Sequence, residues 1–300
     1  MSGSLLERGR LDDGTPVVIK HVAAARDWIM QATGDTGRIS GLWAEGVFDR
    51  IPAGIDHTML DVRAEPDGAV VVMRDRSAAM FTESSQLRAA HQSILHAAAL
   101  IHRSLADAPR TQLCALADLY AFLSPQRCAA FAADHDVPRE AVEGWTRLHD
   151  LVPVEISDAV QWVHADPGRL ANPLLERHCA FVHGDMKMAN MGAAGDTVVL
   201  VDWGTLTTWA PPAVEYAWYM AVNGAALDLP LDHVLDDVRQ TDAGDDDVAL
   251  RLALVGGLCQ LGWAKALGAT ADDPATRQRE RDGLEWWVAQ TLKALDAWIP

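Results

Sequence analysis

The hydrophobic and polar positions follow two different periods along the chain. Over residues 5–76 the apolar runs are short and broken by turn residues. LLERGRL is followed by the turn DDGT and then by PVVIKHV, which predicts a β-hairpin. IDHTMLDVRAEPDGAVVVMRD repeats the pattern: a strand, a Pro-Asp-Gly turn and a β-branched strand at Val70–Met73. A helix is predicted between the hairpins, over about Ser40–Ile51. From about residue 83 a helical period takes over. In QLRAAHQSILHAAALIHRSL, the residues Leu87, Ala90, Ile94, Leu95, Ala98, Ile101 and Leu105 form one apolar face. Further helices are predicted at about 112–122, 138–150, 213–224, 246–268 and 277–297. One β-island interrupts them: CAFVHGD and GDTVVLVDWG, read together as a hairpin with polar residues at its ends. The fold class is therefore α+β. A small antiparallel β-rich lobe over residues 1–76 precedes a larger, mainly helical lobe over residues 77–300, with a pivot near Met73–Ser77. Ligands tend to bind in clefts between such units.

The totals narrow the classes. A chain of 300 residues, 49% hydrophobic and with mean hydropathy near zero, buries a real core. Its longest apolar stretch, LALVGGLCQLGWA, is short for a bilayer span and is bounded by Arg251 and Lys265. MSGSLLERGRLDDG lacks the apolar run of a signal peptide, and the expected location is cytoplasmic. The four cysteines are scattered without a metal or disulfide pattern. A net charge of −17 argues against nucleic acid and anionic membranes as partners, and fits a cationic small molecule. The chain is expected to be a monomer or homodimer. Arginines number 21 and lysines only 4, and two of those four lysines fall in the motifs below.

VHGDMKMAN, residues 182–190, sets His183, Asp185 and Asn190 in an H-x-D-x-x-x-x-N pattern, and Asp202 in VLVDWG follows twelve residues after Asn190. This is the spacing of a kinase catalytic loop and its metal-binding D-x-G. Phosphoryl transfer asks the protein for positioning and charge neutralisation more than for covalent help. Asp185 is the candidate to accept or orient a hydroxyl proton. Asn190 and Asp202 are candidate oxygen ligands for Mg²⁺, and His183 a loop-orienting residue. A lone HGD or Asp-Trp-Gly is a common turn. The joint pattern is much more specific.

HGD, the Asn five residues after its Asp, an apolar strand and DWG together resemble the aminoglycoside phosphotransferase family, as does PPAVEYAWYM over residues 211–220. The resemblance covers roughly residues 5–225. It implies a protein-kinase-like two-lobe fold and transfer of the γ-phosphate of ATP or GTP, with Mg²⁺, to a hydroxyl of a small, amine-bearing acceptor such as an aminoglycoside or a related antibiotic. Lys20 then matches the strand lysine on the α- and β-phosphates, and Glu45 is its candidate ion-pair partner. Met73 would line the adenine pocket, and the backbone at Arg74 and Arg76 would bond adenine. Lys187 stands where protein kinases place a γ-phosphate contact, Glu215 is expected to hold the catalytic loop, and acidic side chains within residues 228–248 are expected near the acceptor. Gly3 and Ser4 offer at most a clipped nucleotide-covering loop. The rival readings are a metabolite kinase acting on an amino sugar, sugar or amino alcohol, and a nucleotide-binding pseudokinase. A protein kinase fits less well, with only eight residues between Asp202 and Pro211-Pro212.

Overall fold

The computed structural model describes residues 3–298. The chain forms two compact units, Met1–Ala115 with Ala180–Trp209, and Leu116–Cys179 with Ala210–Pro300.

The first unit opens with the expected hairpin, β1 (Leu5–Arg10) and β2 (Pro16–Ala23), followed by α1 (Trp28–Thr33), α2 (Arg38–Ala44), β3 (Ile55–Asp56), β4 (Met59–Glu65) and β5 (Gly68–Arg74). The sheet is antiparallel in the order β1-β2-β5-β4, and Lys20 pairs with Val71 across it. Gly68 lies so close to the Val22 carbonyl that a Cβ there would clash. The long amphipathic helix appears as α3 (Ser84–Ser104), started by a capping box between Glu83 and Gln86. The same unit takes in the later β-island: β6 (Ala180–Val182), β7 (Met191–Ala194), β8 (Thr197–Leu200) and all but the last residue of β9 (Thr208–Ala210).

Two expectations change here. The hairpin in the β-island joins β7 to β8 through the Gly195-Asp196 turn, while β6 pairs with β9. An apolar run marks β6 as a strand but does not name its partner. Between the first two hairpins the chain makes two short helices and a 3₁₀ turn at Phe48–Arg50 rather than one helix over Ser40–Ile51. Gly34 at φ 65° ends α1, and Gly46 at φ 67° stands two residues past the end of α2.

The second unit contains α4 (Leu116–Ala121), α5 (Pro125–Ala129), α6 (Asp136–Leu151), α7 (Val154–Ala165), α8 (Gly168–Leu175), α9 (Pro212–Leu227), α10 (Leu231–Arg239), α11 (Asp247–Ala269) and α12 (Pro274–Trp298). By length and composition α11 could cross a membrane, but 83% of its apolar window is buried, as in a core helix. Glycines let its neighbours close in: a Cβ on Gly256 would strike Tyr120, and one on Gly257 would strike the fully buried Trp287. Asp246 caps the helix and takes a two-pronged ion pair from Arg177 at 2.6 and 3.0 Å.

Candidate active site

The catalytic-loop candidates lie between β6 and β8, and local geometry fixes them there. β6 is buried throughout and delivers His183 and Gly184. Gly184 has φ 83°, and a Cβ on it would meet the Leu206 carbonyl at 2.1 Å, so only glycine fits this turn. His183 is buried. Its Nε2–H donates to the Val201 carbonyl at 3.1 Å, and its Nδ1 accepts the Asp185 N–H at 3.2 Å. Burial pulls its pKa down to about 4, against the pull of Asp202. A neutral imidazole with both nitrogens engaged is suited to orienting the loop rather than to moving a proton. Trp203 stands edge-on to its ring at 4.5 Å.

Asp185 is also buried. Its Oδ2 accepts from Lys187 Nζ at 2.7 Å and from Asn190 Nδ2 at 2.9 Å, while Oδ1 is buried with no hydrogen-bond partner among the described residues. Burial raises its pKa to about 6, and nearby Asp202 adds to the rise while Lys187 opposes it. Burial works against the Lys187 charge, but Asp185 and Asp202 hold that ammonium above its usual value. One carboxylate oxygen is thus pinned while the other stands as an acceptor without a donor, which is what a hydroxyl-binding base requires.

Asn190 and Asp202 are fixed to each other by the backbone: the Val201 N–H donates to the Asn190 carbonyl at 3.0 Å. Asp202 has φ 68°, an uncommon value outside glycine that turns its side chain out of the strand path. Its carboxylate is ion-paired with Lys20. Burial alone would raise its pKa, but Lys20 and Lys187 bring it down to about 2, so it stays anionic. The site brings together Lys20, Asp185, Lys187, Asn190 and Asp202. Asp202 and Asn190 fit a hard cation that also takes water and phosphate oxygens. No group of three or more His, Cys, Asp or Glu able to hold a metal occurs among the described residues.

A cavity of about 260 Å³ opens beside these groups, lined by Lys20, Asn190 and Asp202 at one end and by Val18, Val71 and Met73 along its apolar wall. Arg74 and Arg76 also line it, but their side chains are engaged: both guanidiniums bind Asp56, at 2.7 and 2.8 Å. The Arg74 N–H donates to the carbonyl of Thr58.

Glu45 does not pair with Lys20. It lies just past the end of α2, accepts a hydrogen bond from Thr111 and does not line the cavity. Asp202 takes the lysine instead. The helix that would carry Glu45 inward is interrupted by Gly46, which turns the chain away. Sequence reasoning missed three groups here. Asp35 lines the cavity and accepts from the N–H groups of Gly37 and Arg38 at 2.7 Å each. Arg38 binds the Thr205 carbonyl at 2.9 Å, tying α2 to the chain just after Asp202. Asp56 anchors the two arginines. The signals were the Asp-Thr-Gly turn at 35–37 and the alternation Arg74-x-Arg76, which puts both side chains on one face of an extended chain.

In the second unit Glu215 is buried in the first turn of α9. Within the acidic run, Asp232 accepts from Trp286, Asp242 from Tyr216 and Asp246 from Arg177, while Asp236 and Asp247 pair with Arg239 and Arg251.

No family model and no curated protein sequence matches the chain. Solved structures do. The choline kinase LicA from Streptococcus pneumoniae is 11% identical with a TM-score of 0.57, over 96% of this chain and 89% of that one. A choline/ethanolamine kinase family protein from Mesorhizobium loti is 13% identical with a TM-score of 0.53, over 98% and 93%. An aminoglycoside phosphotransferase from Streptomyces rimosus, solved with ADP and streptomycin, is 18% identical with a TM-score of 0.51, over 86% and 93%. At these identities the likeness is one of fold. The chain has the protein-kinase-like α+β fold of small-molecule kinases, as the motifs led us to expect.

Proposed function

We propose that the protein is a small-molecule O-phosphotransferase that moves the γ-phosphate of ATP or GTP to a hydroxyl of a small, amine-bearing acceptor. The observation that carries this reading is the buried Asp185 carboxylate, with Oδ2 pinned by Lys187 and Asn190 and Oδ1 without a partner, in the same unit as an anionic Asp202 at the end of a cavity with an apolar wall. Asp185 Oδ1 receives the acceptor hydroxyl and its proton. Lys187 supplies positive charge where negative charge builds on the transferring group, and Lys20 reaches the nucleotide phosphates. Asn190 and Asp202 would hold Mg²⁺, which when bound neutralises triphosphate charge. The adenine ring lies along the apolar wall by Met73, against the backbone of Arg74 and Arg76. His183 keeps the loop in shape.

The net charge of −17 favours a cationic acceptor by steering. Aminoglycosides and related antibiotics are the leading class, and amino alcohols such as choline and ethanolamine belong in the same test. The test is phosphate transfer from labelled ATP and GTP with Mg²⁺ across aminoglycosides, peptide antibiotics, amino sugars and amino alcohols, with Asp185→Ala alongside. Transfer to one class, abolished in the variant, is the expected result. Nucleotide binding with no transfer to any acceptor would point instead to a pseudokinase.

A further inference from the structure

The second unit contains a buried lysine that no part of the proposed chemistry uses. Lys265, on α11, is only 6% exposed and lines a cavity of about 530 Å³ formed with the end of α9, the start of α10 and the first turns of α12. It is one of only four lysines in a chain with 21 arginines. Among the described residues no hydrogen bond and no carboxylate oxygen within 4 Å reaches its Nζ. Gly224 of α9 faces the ammonium group and offers it no side chain: a Cβ built there would stand 3.9 Å from Nζ, at ordinary contact distance. Burial lowers the lysine pKa, and the more distant Glu280 only opposes that fall. A buried, unpaired ammonium is costly, and replacing it with an apolar side chain is commonly neutral or stabilising. A group of this kind, facing a cavity, is suited to a ligand of opposite charge.

The walls narrow the class of ligand. Leu229 and Leu231 give an apolar side. Glu280 packs its stem over the bare backbone of Gly268, and Asp282 lies on the same wall, accepting from Gln278 at 2.8 Å. These two carboxylates repel a second negative charge. Arg279, also in the lining, is half-exposed and turned toward Glu280 at 3.8 Å. One free cation, an apolar side and flanking carboxylates suit a single negative charge on a short hydrocarbon tail. We propose that the cavity at Lys265 is a binding site for a small monocarboxylate with a short apolar tail, held by its carboxylate on Lys265 Nζ.

Sodium butyrate is the probe, with acetate, inorganic phosphate and chloride compared at equal ionic strength on the full chain without nucleotide. Equilibrium dialysis with labelled butyrate should give one site per chain in the wild type and none in Lys265→Met. The melting temperature should rise by about 3 °C or more at ten times Kd in the wild type and stay flat in the variant. Lys265→Met keeps the stem's packing and should melt no lower than the wild type without ligand. No binding to the wild type, or equal binding to both proteins, would overturn the proposal. A Lys265-dependent response to phosphate that exceeds the response to butyrate would overturn the assigned class. If Lys265→Met fails to fold, Lys265→Gln takes its place, and butyrate binding retained there would overturn the proposal too.

Discussion

Lys187 returns its Nζ to Asp185 Oδ2 at 2.7 Å across two residues of loop, so the proposed base and this cation are a single electrostatic unit. Burial brings the Asp185 carboxyl up to about 6, and Lys187 keeps it from going higher. Phosphoryl transfer that needs the ionised form should therefore fall off as pH drops below about 6. Lys187→Met removes the opposing charge, so the acid limb of the pH–rate profile should move upward, by on the order of one unit. A limb left in place in this variant would mean that Asp185 does not set the profile.

Asp202 has Lys20 on its carboxylate and the Asn190 loop tied beside it. Asp202→Asn should weaken nucleotide binding in the presence of Mg²⁺ by about tenfold or more while changing metal-free binding little. Calorimetric titration with and without the metal measures the difference. Equal losses under both conditions would remove Asp202 from the set of metal ligands.

Glu45 and Lys20 are not partners, and their substitutions should behave independently. Glu45→Gln should change kcat/KM by less than about threefold, since its contact is with Thr111. Lys20→Met should lower kcat/KM by about a hundredfold or more, by the loss of charge at the phosphates. A double variant with additive effects would confirm the separation.

Asp56 holds both Arg74 and Arg76 and also accepts the Thr58 N–H at 2.9 Å. Removing its charge leaves two guanidiniums at the cavity wall without their counter-charge. Asp56→Asn should raise the KM for nucleotide several-fold with kcat nearly unchanged, and cost about 1–3 kcal/mol of stability. Steady-state kinetics and urea unfolding report the two effects separately.

His164 stands edge-on to Trp145 at 4.6 Å and is bonded through Nε2 to the Cys259 carbonyl at 2.8 Å. Burial brings its pKa to about 4, as it does for His183. Unfolded histidines titrate near 6.5, so between about pH 6.5 and 4 the unfolded chain binds more protons than the folded one. Folding stability is therefore undiminished by these two side chains above pH 6.5 and falls as pH drops toward 4, by up to roughly 3 kcal/mol each. His164→Gln should flatten the acid side of the stability–pH curve measured by denaturant unfolding. An unchanged slope would mean that the histidine is already charged in the folded protein.

The catalytic loop was legible in the sequence because its roles are short-range. His183, Asp185, Lys187 and Asn190 lie within eight positions, and the bonds they make with one another run two to five residues along the chain. The first hairpin and α3 were legible because their periods persist over enough residues. α1 was not, since six residues show no period. Glu45 was assigned to Lys20 by its place in a motif, and a Gly46 turn is enough to redirect it. The partners of Asp56 lie 18 and 20 residues away, and only the folded sheet brings them together. Acidic side chains within residues 228–248 were expected near an acceptor, and five of them are engaged in contacts of their own that the sequence did not reveal.

Strand β3 is two residues long and pairs in parallel with β8, Ile55 beside Val198 and Asp56 beside Val199. The whole helical segment Leu116–Cys179 is made between them. A chain emerging from the ribosome therefore has its first sheet and its Asp56 anchor in place long before the strand that closes the unit exists. Closure waits on a contact of very large sequence separation, the kind that slows folding and leaves strand edges open to other chains. Synthesis that stalls anywhere between residues 116 and 197 leaves Ile55 and Asp56 without their partner strand, and such nascent chains are the ones expected to engage a chaperone.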